Sequence, residues 1–313
     1  MNPISSAWVL NVIKAPSSIQ PFTNYTRWLK FGSIKMDGFR NVALASSMCI
    51  TPSLKFQVNT NIPRHFEEFF AFLTRHRLVA DGELWSPDLP FNQLSSRVRS
   101  TAGDLTGVGF YIFDLLTENE WLHGESATYM MRYARLHQLR EQFPNVYVVD
   151  QYPLQNVKEA QDFYQRQIDL GHEGIMLRDP YAHYKHGRCT HDEEDLLKFK
   201  NFVTEDAMIL GCNEADRLVS DAEVRFSPSG LMLRSSKASD YEPADTLGSF
   251  TVTTDNGKTN FKVALGHIDH SMRKQLWQNR HTLVGQWIEF THLAVGAKDV
   301  PRHGKFVRFR DAK

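Results

Sequence analysis

The stretch Ile34-Lys35-Met36-Asp37-Gly38-Phe39-Arg40 constrains this chain more than any other, because it sets a lysine, an acid, a glycine and an arginine together between apolar flanks. A lysine amine can form a covalent intermediate, but at its ordinary pKa it is mostly protonated and a weak nucleophile. It needs a site that favours the neutral amine, through partial desolvation or neighbouring positive charge. Arg40 can supply that charge and clamp phosphate, while Gly38 permits close backbone approach. Asp37 works against the neutral amine, so its use is geometric or directed at a sugar. Taken alone, the block reads equally well as a surface turn after a short strand, since Asp-Gly is a common turn pair. Residues further along the chain decide between the two.

A chain of 313 residues is long enough for two domains, each with its own core. No run approaches the roughly 18 apolar residues that span a bilayer, and Met1-Asn2-Pro3-Ile4-Ser5 lacks a basic stretch leading into an apolar signal segment. No membrane association is expected. Cys49, Cys189 and Cys212 are scattered and odd in number, which fits a reducing compartment better than a disulfide framework. Lys and Arg together balance Asp and Glu at 36 each, which argues against a uniformly basic coat for nucleic acid but leaves room for a local basic face. His183, His186, Cys189 and His191 sit close together, yet their spacing follows no familiar zinc pattern. There is no Walker-type phosphate loop and no dinucleotide fingerprint.

Several downstream blocks carry chemistry. Arg64 to Leu78 predicts a helix with Phe66, Phe69, Phe70 and Leu73 at helical spacing. Leu78-Val79-Ala80-Asp81-Gly82-Glu83-Leu84-Trp85 predicts a strand presenting the Glu83 carboxylate. Pro90 to Gly109 is polar and Ser/Arg-rich, a solvated loop by composition, with Arg97 and Arg99 as its cations. Val108 to Leu116 is an apolar strand whose rings, Phe110, Tyr111 and Phe113, all read as core residues on composition alone. Helices are expected over Glu125 to Phe143 and Leu154 to Leu170, the latter with Val157, Ala160, Tyr164 and Ile168 as its buried stripe. Glu173-Gly174 leads into another apolar strand, and in Leu196-Leu197-Lys198-Phe199-Lys200 the two lysines share one strand face. After Lys200 the texture turns to short strands and polar turns, with Asp255-Asn256-Gly257 as a hairpin turn, suggesting a small barrel. Asn213 to Asp245 is expected as a long polar surface loop. The end, Arg302 to Lys313, alternates basic and apolar residues.

Together, Lys35-Met36-Asp37-Gly38-Phe39-Arg40, the Glu83 block, the Phe113 strand, Glu173-Gly174, Lys198-Phe199-Lys200 and the terminal basic block resemble the ordered motifs of ATP-dependent DNA ligases, over nearly the whole chain. The resemblance implies an α+β fold. A nucleotidyltransferase (adenylation) domain of mixed and antiparallel sheets with helices spans residues 1–204, and an OB-fold β-barrel spans 205–313. It implies that Lys35 attacks the α-phosphate of ATP and carries AMP, then passes it to the 5′ phosphate of a nick for attack by the 3′ hydroxyl. Arg40, Glu83, Phe113, Lys198, Lys200, Arg308 and Arg310 would bind the nucleotide, with Phe113 on the purine and the two C-terminal arginines on pyrophosphate. Glu83 and Glu173 would help hold Mg2+.

Two departures stand out. No arginine lies between Arg40 and Arg64 where ligases often contact the 5′ phosphate, leaving Lys55 as a replacement, and Ala312 stands where an acid usually precedes the closing lysine, Lys313. Lys55, Arg97, Arg99 and Lys305 are the DNA-contact candidates. Only 34 residues precede Lys35, so the catalytic core itself is expected to hold nicked double-stranded DNA. The plan is similar to compact, podophage-type bacteriophage ligases, implying a monomer at work in a bacterial host cytoplasm. An RNA ligase, an mRNA-capping guanylyltransferase and a non-catalytic nick-binding protein are the competing readings.

Overall fold

The computed structural model describes residues 11–310 apart from 47, 125, 227–231, 234, 236, 256 and 298–299, and only the backbone of 295–297. Glu125, Asn256, Ala312 and Lys313, on which sequence expectations fell, lie outside the described residues. The chain divides into two units, Met1–Lys200 with Phe226–Leu231 and Asn201–Arg225 with Met232–Lys313.

The first unit carries β1 (Lys30–Ile34), β2 (Phe39–Ala43), β3 (Cys49–Ile50), β4 (Leu78–Trp85), β5 (Gly109–Thr117), β6 (Val146–Val148), β7 (Tyr152–Leu154), β8 (Gly174–Arg178) and β9 (Leu196–Lys200). They form two sheets, ordered β7-β1-β8-β9 and β3-β2-β4-β5-β6. The pairings are antiparallel except β5 with β6, so the second sheet is mixed. Lys35 directly follows β1 and Phe39 opens β2, so the lysine block is the crossing from one sheet to the other. That position lets both sheets contribute side chains around one amine.

The helices are α1 (Ile62–His65), α2 (Glu67–His76), α3 (Phe91–Arg99), α4 (Glu118–His123), α5 (Tyr129–His137) and α6 (Val157–Asp169). The aromatic stripe of α2 packs as its spacing predicts: Phe66, Phe69, Phe70 and Leu73 join Ala80, Leu84, Phe110 and Ile112 in one core. Each such side chain contributes about 1.5–3 kcal/mol on burial. Arg77 then turns left-handed at φ 52°, its N–H bonding to the carbonyls of Leu73 and Thr74, and β4 starts one residue later.

Several expectations need correction. The polar stretch after Pro90 is not a loop throughout, because Leu94 and Val98, one turn apart, bury one face of α3 beneath its serines and arginines. The helix expected from Glu125 is the shorter α5, while α4 precedes it, started by a reciprocal Thr117–Glu120 capping box. In α6 Phe163, not Tyr164, is buried with Ala160, and Val157, Tyr164 and Ile168 are half-buried.

After β9 come β10 (Phe202–Leu218), β11 (Arg225–Phe226), β12 (Met232–Leu233), β13 (Tyr241–Thr253), β14 (Phe261–Ala264), α7 (His270–Gln278), β15 (Trp287–Ala297) and β16 (Val300–Phe309), all in the second unit but for Phe226. Strands β10-β13-β14-β16-β15 close into a barrel around Ile209, Phe250, Val252, Val263, Ile288, Phe290 and Phe306. The stretch from Asn213 is not a simple loop. Its first residues extend β10 and pair with β13 from Asn213↔Ser249 to Leu218↔Tyr241, a polar ribbon that apolar periodicity does not reveal. Among the described residues no helix is long and apolar enough to cross a membrane.

Candidate active site

A cavity of about 310 Å³ opens beside Lys35, lined among others by Glu83, Phe113, Met176, Arg178 and Lys198. Lys35 is held by its backbone N–H on the carbonyl of Gly174, 2.9 Å away, which ties the end of β1 to the start of β8. Its Nζ lies 2.5 Å from Oε2 of Glu173. The other oxygen of that carboxylate, Oε1, is 2.6 Å from Nζ of Lys200. Burial works to raise the Glu173 pKa, but the two ammonium groups outweigh it and hold the carboxyl below its ordinary range. Glu173 is therefore an ionised bridge between two lysines. An amine held by a carboxylate in this way must leave that contact before its lone pair can attack any electrophile.

Gly174 makes the bridge possible. A Cβ there would sit 1.9 Å from the carbonyl oxygen of Phe199, and its φ of 153° is one that side chains with a Cβ rarely adopt. Gly38 has a similar reason for being glycine, since its Cβ would meet the carbonyl of Leu84 at 2.5 Å and Cγ of Glu83 at 2.7 Å.

Arg40 lies opposite Glu83 in the β2–β4 register and lines the cavity, but its guanidinium is committed elsewhere. Nε and Nη2 bond both oxygens of the fully buried Asp81, at 2.9 and 2.5 Å, and Nη1 bonds the carbonyl of Ile13 at 2.5 Å. The Tyr184 hydroxyl donates to Asp81 at 2.6 Å. Burial disfavours the Arg40 charge, and the Asp81 carboxylate more than restores it. Asp81, two residues before Glu83 in the same block, is thus a partner that sequence reasoning left without a role.

The three rings of β5 are sorted by a register shift. Gly82 pairs with Ile112 and Asp81 with Asp114, leaving Phe113 as an extra residue in β5. Phe110 is fully buried in the helix-side core and Tyr111 stacks on Tyr147 with centroids 4.8 Å apart, so Phe113 alone of the three lines the cavity. Guanidiniums of Arg40 and Arg178 stand 5.3 and 5.6 Å from its ring centre. Asp114, the next residue, is fully buried and bonds Arg132 at 2.7 and 3.1 Å and Arg178 at 2.5 Å. Burial tends to raise the Asp114 pKa, but the two arginines lower it overall. The Tyr129 hydroxyl donates to the carbonyl of Phe113, pinning the bulge from behind.

Lys198 lines the cavity from β9, while Phe199 packs into the core behind it. Lys14 and Arg188 also line it and escaped sequence reasoning. They are joined by a parallel bridge between segments 174 residues apart in the chain, a proximity that no local pattern signals. Lys55, Arg97 and Arg99 do not line the cavity: Lys55 is exposed, Arg97 Nη1 bonds the carbonyl of Thr106 at 2.6 Å, and Arg99 lies over Phe39. In the loop of clustered histidines, His183 bonds the Ser126 carbonyl, His186 that of Asn11, and His191 lies 2.8 Å from the Tyr25 hydroxyl. In the second unit, Arg308 and Arg310 both meet Glu289, and Lys305 is exposed on the same strand.

Burial raises the Glu83 pKa from 4.5 to about 8 despite the opposing pull of Lys35 and Arg40. Between those two values the folded state keeps a proton that the unfolded chain has released, so stability falls as pH rises through the window. Glu83→Gln should remove that loss. Its melting temperature, relative to the parent, is expected to climb from about pH 5 to about pH 9; a pH-independent difference would show that Glu83 ionises normally in the fold.

Two family models match the chain. Residues 20–200 match the ATP dependent DNA ligase domain, and residues 242–310 match the DNA ligase OB-like domain. The chain belongs to the ATP-dependent DNA ligase family. It is an enzyme that joins DNA at the expense of ATP through an adenylation domain, followed by an OB-like domain. Solved structures share the fold. One from a structure–function study of Lig E DNA ligases, described as DNA binding with a minimal scaffold, matches with a TM-score of 0.67 at 22% identity, over 96% of this chain and 98% of that one. The Chlorella virus DNA ligase–adenylate matches at 0.51 and 20%, over 96% and 99%. The ATP-dependent DNA ligase of bacteriophage T7 in complex with ATP matches at 0.50 and 17%, over 96% and 98%. Among curated proteins none matches the sequence.

Proposed function

We propose that Lys35 is the AMP carrier of this ligase and that its substrate is a nick with a 3′ hydroxyl and a 5′ phosphate in duplex DNA. The observation that carries this reading is the Lys35–Glu173–Lys200 bridge at the wall of a cavity that also presents Phe113, Glu83 and Lys198. In the first step Lys35 Nζ bonds to the α-phosphorus, the bond to the β-phosphate bridging oxygen breaks, and pyrophosphate leaves with Arg308 and Arg310 as its counter-charges. In the second, an oxygen of the 5′ phosphate attacks the AMP phosphorus and frees the lysine. In the third, the 3′ hydroxyl attacks the activated phosphate and AMP departs.

The residues divide the work by charge. Lys198 and Lys200 address phosphate oxygens, so that Lys200 exchanges Glu173 for phosphate when ATP enters. Glu83, protonated at neutral pH by its raised pKa, is suited to a hydrogen bond with the ribose more than to a metal. Arg40 acts through position, backing the Phe113 ring while anchored on Asp81. Glu173 is the ionised carboxylate fitted to Mg2+, which takes one or two carboxylates together with substrate phosphates. When bound there, the ion neutralises charge on the transferring phosphoryl group. The remaining parts of the proposal are a boundary near residue 204, an oligonucleotide-binding role for the barrel, a compact phage-type enzyme, and a monomer acting in a bacterial cytoplasm.

Intact-mass measurement after incubation with ATP or GTP tests the reading. A single adenylyl adduct on Lys35 with ATP is expected; an adduct with GTP alone would make the protein a guanylyltransferase. A panel of nicked DNA and nicked RNA then decides the polynucleotide. Phe113→Ala should raise the KM for ATP roughly tenfold, since ring stacking on a base contributes ~1–3 kcal/mol. An unchanged KM would place the purine elsewhere.

A further inference from the structure

Asp206 on β10, Glu289 on β15 and Arg308 on β16 form one rung across three neighbouring strands of the barrel. Two carboxylates directly opposite one another repel, so this arrangement opposes folding unless a cation on the same face offsets it. Arg310 does so. Its Nε lies 2.8 Å from Oδ1 of Asp206, and its Nη2 lies 2.8 Å from Oε2 of Glu289. Arg308 meets the same Glu289 oxygen through Nη2 at 2.9 Å and Nε at 3.2 Å. The Glu289 side chain is 14% exposed, that of Arg308 60% and that of Arg310 32%, so a sheltered carboxylate holds two guanidiniums that are each more exposed than itself. Ion pairs with an exposed member contribute little to stability, too little to explain why two acids face each other in register.

We propose that Glu289, assisted by Asp206, is a positioning residue for the adenylylation step: it holds the guanidiniums of Arg308 and Arg310 as a preset pair for the leaving pyrophosphate. This rests on those two arginines being the counter-charges of the leaving pyrophosphate. A guanidinium is a planar fork whose value to phosphate lies in presenting parallel N–H groups, and a fork fixed before the ligand arrives loses less freedom on binding. The two acids also bring the four side chains to a formal charge of zero. That weakens the generic pull of this face on a DNA backbone, which grows with the number of cations presented. The cluster therefore favours a compact polyphosphate with matching geometry over an extended polyanion.

The experiment compares two rates in each variant: adenylylation of the enzyme by ATP, and sealing of nicked DNA already carrying AMP on its 5′ phosphate, which bypasses the first step. For Glu289→Gln the ratio of the first rate to the second should fall about tenfold, with a smaller fall for Asp206→Asn and little change in melting temperature. Arg308→Ala and Arg310→Ala are run beside them. If the arginine variants lower the ratio and Glu289→Gln does not, the positioning role is overturned while the reading of the arginines stands. Should the arginine variants leave the ratio untouched, that reading fails and the inference with it. A parallel fall of both rates in Glu289→Gln, accompanied by a drop in melting temperature, would mean that the cluster only stabilises the barrel.

Discussion

Lys35→Ala is expected to take up no AMP from ATP, with nick sealing from ATP lowered by at least about 10⁴-fold, the scale on which removal of a covalent nucleophile acts. The same variant still seals a nick that already carries AMP at a measurable rate, because the last step needs no covalent bond to the protein. The lysine is 21% exposed and its amine stands on the cavity side of Glu173, so its removal leaves the cores of both sheets intact and the melting temperature close to that of the parent. Intact-mass measurement and a sealing assay on both substrates check this. An adenylyl adduct on the variant would move the nucleophile to another side chain and overturn the assignment of Lys35.

Gly174→Ala has the second large effect, and it works through the fold. The added Cβ would collide with the Phe199 carbonyl at the point where Gly174 pairs with Lys200. Backbone cannot swing aside as a flexible side chain does, so β8 and β9 must part at this rung. A loss of about 3–5 kcal/mol in stability is expected, in line with the upper range for strained backbone and core overpacking. Adenylylation should fall with it, since Glu173, Lys35 and Lys200 all depend on this rung. Gly211→Ala is the control: its Cβ would meet nothing within 4 Å, and a change within roughly 1 kcal/mol is expected by denaturant unfolding. Equal losses in the two variants would show that open space and steric collision are not what separates them.

The site was legible to the extent that chemistry is written in short blocks. Lys35, Glu83, Phe113 and Lys198 were named from their local motifs, and all four line one cavity, with Glu173 and Lys200 bridged to Lys35 at its wall. The choice among Phe110, Tyr111 and Phe113 was not legible from the residues themselves, because an apolar run says nothing of a one-residue register shift. Nor was the Asp81–Arg40 pair, whose members sit 41 residues apart and meet only because β2 lies beside β4. The α2 stripe followed from period alone, whereas α3 was hidden by its polar composition and the β10–β13 ribbon by its lack of apolar alternation. What failed for the register shift, the Asp81–Arg40 pair and the ribbon was long-range pairing, which composition does not encode; α3 was missed because its buried stripe is only Leu94 and Val98.

The extra residue in β5 has one more consequence. Consecutive side chains, Phe113 and Asp114, both answer to Arg178, one through its ring and the other through its carboxylate. The aromatic wall of the cavity and the ionic scaffold beneath it are thereby spelled by adjacent codons, with no spacer between them. Swapping the ring leaves that support in place, whereas deleting a single residue there would turn the cavity-facing side chain out of phase with it.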